Sequence, residues 1–153
     1  MPHAKEQLIE RLQKQKEAFK DSDAKWNEVR SQWIAELKSL FDKFDGWLKP
    51  LMEKGLIRVE ESSQQIQESD LDPYDAPVRK LITPTGAKLH IQPVARVVFE
   101  GQGRVDFLAG GRTAMLIKDP KRGWCFVLGS RTIRAFEELT EDSFFQYVMQ
   151  LLS

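Results

Sequence analysis

Residues 104–128 read RVDFLAGGRTAMLIKDPKRGWCFVL: three short apolar runs separated by Gly110-Gly111 and by Asp119-Pro120-Lys121-Arg122-Gly123. Within the last run Trp124, Phe126 and Leu128 fall on one side and Cys125 and Val127 on the other, which is the period of a β-strand. Connections this short allow antiparallel hairpins, because a parallel pair needs a crossover of about a dozen residues or more. This stretch therefore decides for a sequential antiparallel sheet.

The same period extends outward. Candidate strands are Val78–Ile82, Lys88–Gln92, Ala95–Glu100, Arg104–Leu108, Thr113–Lys118 and Trp124–Leu128, punctuated by Thr85-Gly86, Gly101-Gln102-Gly103 and Gly129-Ser130. Several runs are apolar on both sides, so both faces of the sheet are expected to be at least partly covered. One cover follows directly. Thr140 is a good N-cap, Glu141 and Asp142 suit the positive end of a helix dipole, and Leu139 and Phe144 are spaced as a hydrophobic staple. Phe144, Phe145, Val148, Met149, Leu151 and Leu152 then form a wide apolar helix face.

Upstream, Glu60–Pro77 reads EESSQQIQESDLDPYDAP, polar, acidic and proline-containing, and is expected to be a connector, with at most a short strand at Ile57 and Val59 before it. Ala4–Lys54 is rich in helix formers and holds no Pro or Gly before Asp45. Trp33, Leu37, Leu40, Phe44, Trp47 and Leu51 step by 4, 3, 4, 3, 4, a heptad seam that includes Arg30 and that Leu8, Leu12, Phe19 and Trp26 extend more loosely. Asp21-Ser22-Asp23 offers a place to start a second helix, but a nearly continuous helix is favoured, bent or broken by Gly46 and Pro50 and closed by a glycine cap at Lys54-Gly55-Leu56. About fifty helical residues span roughly 75 Å. That exceeds the domain the rest of the chain can form, so part of the seam must meet something beyond it or fold back.

The chain has 153 residues, 41% hydrophobic and 30% charged, which fits one domain with an appendage and excludes a disordered or disulfide-stapled class. No run reaches the roughly 18 apolar residues of a membrane span, the N-terminus lacks an apolar signal segment, and a lone Cys125 points to a reducing cytoplasm. The zero net charge hides a split: residues 1–76 carry 12 basic and 16 acidic groups, 77–136 carry 11 and 3, and 137–153 carry four acids alone. Such asymmetry signals either an anionic partner or acidic helices lying on a basic sheet of the same chain.

Chemistry leaves few traces. Phosphate-loop, dinucleotide and HExxH patterns are absent, and one Cys with two His cannot build a Cys/His zinc site. His90, Asp106 and Ser130 hold the residue types of a nucleophilic triad without supporting spacing, and Cys125 in the run Trp-Cys-Phe-Val-Leu suits a buried thiol better than a nucleophile. Glu100, Asp106 and Lys118 recur in nuclease-like sites, but no acid lies two residues before Lys118. Gly103-Arg104-Val105-Asp106 places a charged pair on one face of a strand, either a solvated ion pair or a binding feature.

The expected fold is α+β: a long N-terminal helix or helical hairpin, an antiparallel meander of five or six strands, and a C-terminal helix packed on the sheet. Residues 1–55 are expected to be a coiled-coil-like arm, 56–77 a connector, and 78–153 a sheet domain able to fold without the arm. The expected function is a small cytoplasmic interaction module without catalysis, cofactor or metal. It would self-associate or dock on a larger protein assembly through Trp26, Trp33, Leu37, Leu40 and Phe44. The alternative is nucleic-acid binding by the basic meander, with Arg104, Arg112, Lys118, Lys121 and Arg122 as candidate anion-binding residues.

Overall fold

Good helix formers without an internal breaker let the N-terminal fifty residues form one rod. In the computed structural model this is α1, His3–Glu53. The structure describes residues 3–68, 71–95, 103–129 and 134–153, with side chains at all of these except 20–26, 68, 71–72, 95, 129 and 134. Of the two expected alternatives, the single helix is the one found: α1 runs unbroken through Asp21-Ser22-Asp23. Pro50 does not end it either. It sits in the last turn, where one backbone bond is lost, and the fully buried Leu48 beside it anchors that turn on the sheet. The end is a Schellman cap: Leu56 N–H donates to Leu51 O at 2.9 Å and Gly55 N–H to Met52 O at 3.0 Å, with Gly55 at φ 69.

The strands that follow are β1 (Arg58–Glu68), β2 (Leu71–Ile82), β3 (Lys88–Ala95), β4 (Arg104–Ala109), β5 (Arg112–Asp119), β6 (Gly123–Gly129) and β7 (Arg134–Glu138), before α2 (Glu141–Leu152). Among the described residues they form one antiparallel sheet in sequence order, seven strands rather than the five or six expected. The extra strands are β1, which with most of β2 occupies the supposed connector, and β7. The register runs from Arg58 opposite Ile82 to Ile66 opposite Tyr74, with an irregularity before Glu68. A Ser/Gln-rich strand is tolerated here because β1 is a sheet edge and nearly all its side chains face solvent, with Ile66 turned inward. Among the described residues, 71–78 of β2 pair only with β1, so Pro73 and Pro77 break no second ladder there. Of the candidate strand Ala95–Glu100, only Ala95 lies within the described residues, at the end of β3.

The turns follow their sequences. Gly110 and Gly111 both take positive φ, 53 and 80, in the two-residue turn between β4 and β5. Asp119 Oδ1 accepts from Lys121 N–H at 2.8 Å and Arg122 N–H at 3.0 Å, which closes the β5–β6 turn and holds that carboxyl below its usual range. Thr140 caps α2 as expected, its hydroxyl accepting from Ser143 N–H at 3.1 Å while Ser143 Oγ accepts from Thr140 N–H at 2.8 Å.

Both helices lie on one face of the sheet. Phe107 of β4 meets Phe44 of α1 at 5.6 Å and Phe144 of α2 at 5.9 Å, and Phe44 stacks on Phe144 at 4.9 Å. Buried α1 residues are Trp33, Leu37, Leu40, Phe41, Phe44 and Leu48. With Phe41 and Leu48 included, this is the broad stripe of a helix packed on a surface, not a narrow heptad seam. The core cluster also takes Ile57, Ile66, Tyr74, Leu81, Leu89, Ile91, Val105, Leu116, Phe126 and Val148, so among the described elements all but β7 and the N-terminal half of α1 contribute to it. The opposite face carries a second buried row, Ile117 opposite Cys125.

Two outcomes follow from this packing. A Cβ at Gly103 would overlap the rigid Trp33 ring. Gly103→Ala should therefore lower stability by roughly 1–3 kcal/mol, read by urea unfolding. A 78–153 fragment lacks the six buried α1 side chains, each worth roughly 1.5–3 kcal/mol of burial. It should give collapsed amide signals by NMR, whereas a dispersed spectrum would mark a self-sufficient sheet.

Candidate interaction site

A helix that covers a sheet needs a wide apolar stripe, and a helix that pairs with one other helix needs only a narrow one. The helix α1 carries both. Its C-terminal half is fastened to the sheet at Trp33, whose indole N–H donates to the Tyr74 hydroxyl at 2.8 Å and whose ring lies 5.9 Å from that of Trp124. Beside it Glu36 pairs with Lys118 at 3.1 Å. Two turns on, the Arg79 guanidinium donates to both oxygens of Asp45 at 3.0 Å and stands 5.3 Å over the Phe41 ring. Arg79 is itself buried, and the neighbouring carboxylates of Asp45, Glu61 and Asp42 raise its pKa against the opposing effect of desolvation.

Of the five expected partner-binding residues, Trp33, Leu37, Leu40 and Phe44 are 0–2% exposed within a single chain. They are core residues, and the surface they were expected to form is already occupied by the sheet. The side chain of Trp26 lies outside the described residues. What remains open is the first half of α1. Every side chain from His3 to Phe19 faces solvent, including Leu8 at 56%, Ile9 at 45%, Leu12 at 52% and Phe19 at 74% exposure. The signal for them was in the spacing. Leu8, Leu12, Gln15 and Phe19 step by 4, 3, 4, a heptad phase that reaches Val29 and Trp33. A second step of four from Trp33 to Leu37 then shifts the phase, as a stutter does. Val29 still packs against the core, so the free arm ends before it.

The five candidate anion-binding residues are dispersed. On the sheet face away from the helices, Arg104 donates to both oxygens of Asp106 at 2.8 and 3.0 Å, and Asp106 is buried. Arg112 donates to the Gln150 carbonyl at 2.8 Å, a cation at the negative end of α2. Lys118 lies under α1 and 5.9 Å over the Trp124 ring. Lys121 and Arg122 are the pair the structure keeps together, in the β5–β6 turn, with Arg122 4.9 Å over Phe136. The large sheet aromatics Phe107 and Phe126 are buried and offer no stacking surface.

Of the catalytic candidates, Asp106 and Lys118 stand on opposite faces of the sheet, His90 and Asp106 share a face on the neighbouring strands β3 and β4, and Glu100 and Ser130 lie outside the described residues. Among the described residues no group of three His, Cys, Asp or Glu side chains gathers as a metal site. Nor, among them, is any helix long and apolar enough to cross a membrane. Comparison with protein-family models, curated proteins and solved structures finds no significant match to the chain.

Cys125 is 1% exposed, and burial pushes its thiol pKa up, so the thiolate needed for reaction is disfavoured. A thiol reagent such as Ellman's should find no reactive group in the native protein and one after denaturation. Rapid native labelling would mean an opening of the sheet at β6.

Proposed function

We propose that this protein is a non-catalytic, cytoplasmic interaction module that self-associates through the exposed N-terminal half of α1. The observation that carries the reading is the stripe Leu8, Ile9, Leu12 and Phe19, four large apolar side chains on a stretch of α1, His3 to Phe19, in which every side chain is exposed. A helix without tertiary packing is of marginal stability in water, and an apolar stripe at heptad spacing gains from burial against another helix. The cytoplasmic assignment rests on the single buried, unpaired Cys125.

The reading by which the basic meander binds nucleic acid has less support. A phosphate-binding surface needs several cations on one face. Here Lys118 and Arg104 are engaged with carboxylates on opposite faces, which leaves Lys121 and Arg122 as the close pair.

Light scattering behind size exclusion tests the proposal. At tens of micromolar the wild-type chain should show twice its own mass. The variant carrying Leu12→Glu with Phe19→Glu should show the single-chain mass with unchanged near-ultraviolet circular dichroism, because neither residue touches the core. A wild-type chain that stays monomeric at all concentrations rejects self-association.

A further inference from the structure

The helix arm can meet a second copy of itself in a small number of ways, and its own charges discriminate among them. In a two-stranded pair the seam positions are Lys5, Leu8, Leu12, Gln15 and Phe19, flanked by Arg11 and Ala18 on one side and by Ile9 and Lys16 on the other. In a parallel, in-register pair Arg11 faces the partner's Lys16, twice by symmetry, which is a like-charge contact on both sides. Antiparallel pairs instead oppose flanking positions of the same kind. In the shortest antiparallel overlap Arg11 faces the partner's Arg11. In the longest one Lys16 faces the partner's Lys16, and Lys5 comes opposite the partner's Val29, which already packs against that partner's core.

One register between these has neither fault. It sets Leu8 against the partner's Phe19 and Leu12 against the partner's Gln15. Arg11 then lies beside the partner's Ala18, and Lys16 extends its aliphatic stem along the partner's Ile9 with its ammonium free to reach water. The two most exposed apolar residues of the arm meet each other. The polar Gln15 meets the partner's Leu12 next to the centre of the pair, at some cost in stability.

We infer that the arms of two copies form an antiparallel coiled coil in this register, which holds the two sheets at opposite ends. The inference rests on the self-association proposed above and adds its direction and alignment.

Disulfide trapping separates the two claims. Full-length chains carrying Leu8→Cys and chains carrying Phe19→Cys are mixed in equal amounts in a glutathione redox buffer, after light scattering has confirmed that each retains the wild-type mass under reducing conditions. Cys125 stays out of the reaction because it is 1% exposed. The expected product is the mixed disulfide. Either variant alone should stay uncrosslinked, since two copies of residue 8 lie about 16 Å apart along such a pair. Homodisulfides in the single-variant samples indicate parallel pairing and overturn the inference. A stable dimer that yields no disulfide of any kind overturns the register and leaves self-association standing, whereas a monomeric chain removes both. A second measurement does not depend on introduced thiols. Arg11→Glu should leave the dimer dissociation constant unchanged in the antiparallel register, and tightening by about threefold or more would instead point to the parallel contact with Lys16.

Discussion

Trp33 is where α1 becomes part of the domain, and the rest of the architecture depends on how its indole is held. A Trp side chain at 1% exposure needs both a partner for its N–H and room for its ring. The Tyr74 hydroxyl supplies the first at 2.8 Å, from the part of β2 that pairs with the edge strand β1. Gly103 supplies the second, because its missing side chain is the space the ring fills. A single residue thus ties together the helix, the β1–β2 hairpin, the entry to β4, and β6 through Trp124. Residues C-terminal to it bury a broad stripe on the sheet, and those from His3 to Phe19 bury nothing.

Part of the uneven distribution of charge along the chain is explained inside the fold. Glu36 and Asp45 on α1 meet Lys118 and Arg79 on the sheet, and Glu61 lies 3.8 Å from Arg79. These pairs join the acidic first part of the sequence to the basic middle. They set the rotation of α1 about its axis, because only one side of the helix can present Glu36 and Asp45 to the sheet while burying Leu37, Leu40 and Phe44 between them. The buried Arg79 raises the stakes of that choice: in another orientation its guanidinium would lose the Asp45 carboxylate that pairs with it. Charge placement here specifies the docking of a helix more than it advertises a surface.

The fold class, the order of elements, the glycine turns and the capping of both helices were legible in the sequence, because each depends on residues close together in the chain. Gly110-Gly111 fixes a hairpin whatever surrounds it, and so does the Thr140 cap fix a helix start. The β1–β2 hairpin was not legible. Its Ser and Gln residues lie on an edge strand facing water, where composition resembles that of a loop and the ordering comes from a ladder to β2 and from Ile66, Tyr74 and Ala76 facing inward. The apolar helix stripe was legible as a stripe and misread as to its partner. A heptad template accepts Trp33, Leu37, Leu40 and Phe44 and passes over Phe41 and Leu48, yet those two residues widen the face to the span a sheet requires. Width, more than period, distinguishes a helix that lies on a sheet from one that pairs with a helix.

That distinction gives α1 its character as a two-part element. Over its C-terminal half the stripe is wide, aromatic and buried; over its N-terminal half it is narrow, aliphatic but for Phe19, and exposed. Since the backbone is helical throughout, no hinge separates the parts, and the direction in which the arm leaves the body is set by the contacts of Trp33, Phe44 and Leu48 some turns away. Whatever the arm binds is consequently held at an orientation dictated by the core, at a distance of roughly 1.5 Å per residue of helix. A loop bearing the same apolar residues would offer equal area with no such control. The phase shift at Trp33 completes the arrangement: Leu8 and Phe44 lie about ten turns apart at 3.6 residues per turn, so the narrow stripe runs on the same side of the rod as the buried one and offers a partner the continuation of the face that the body covers.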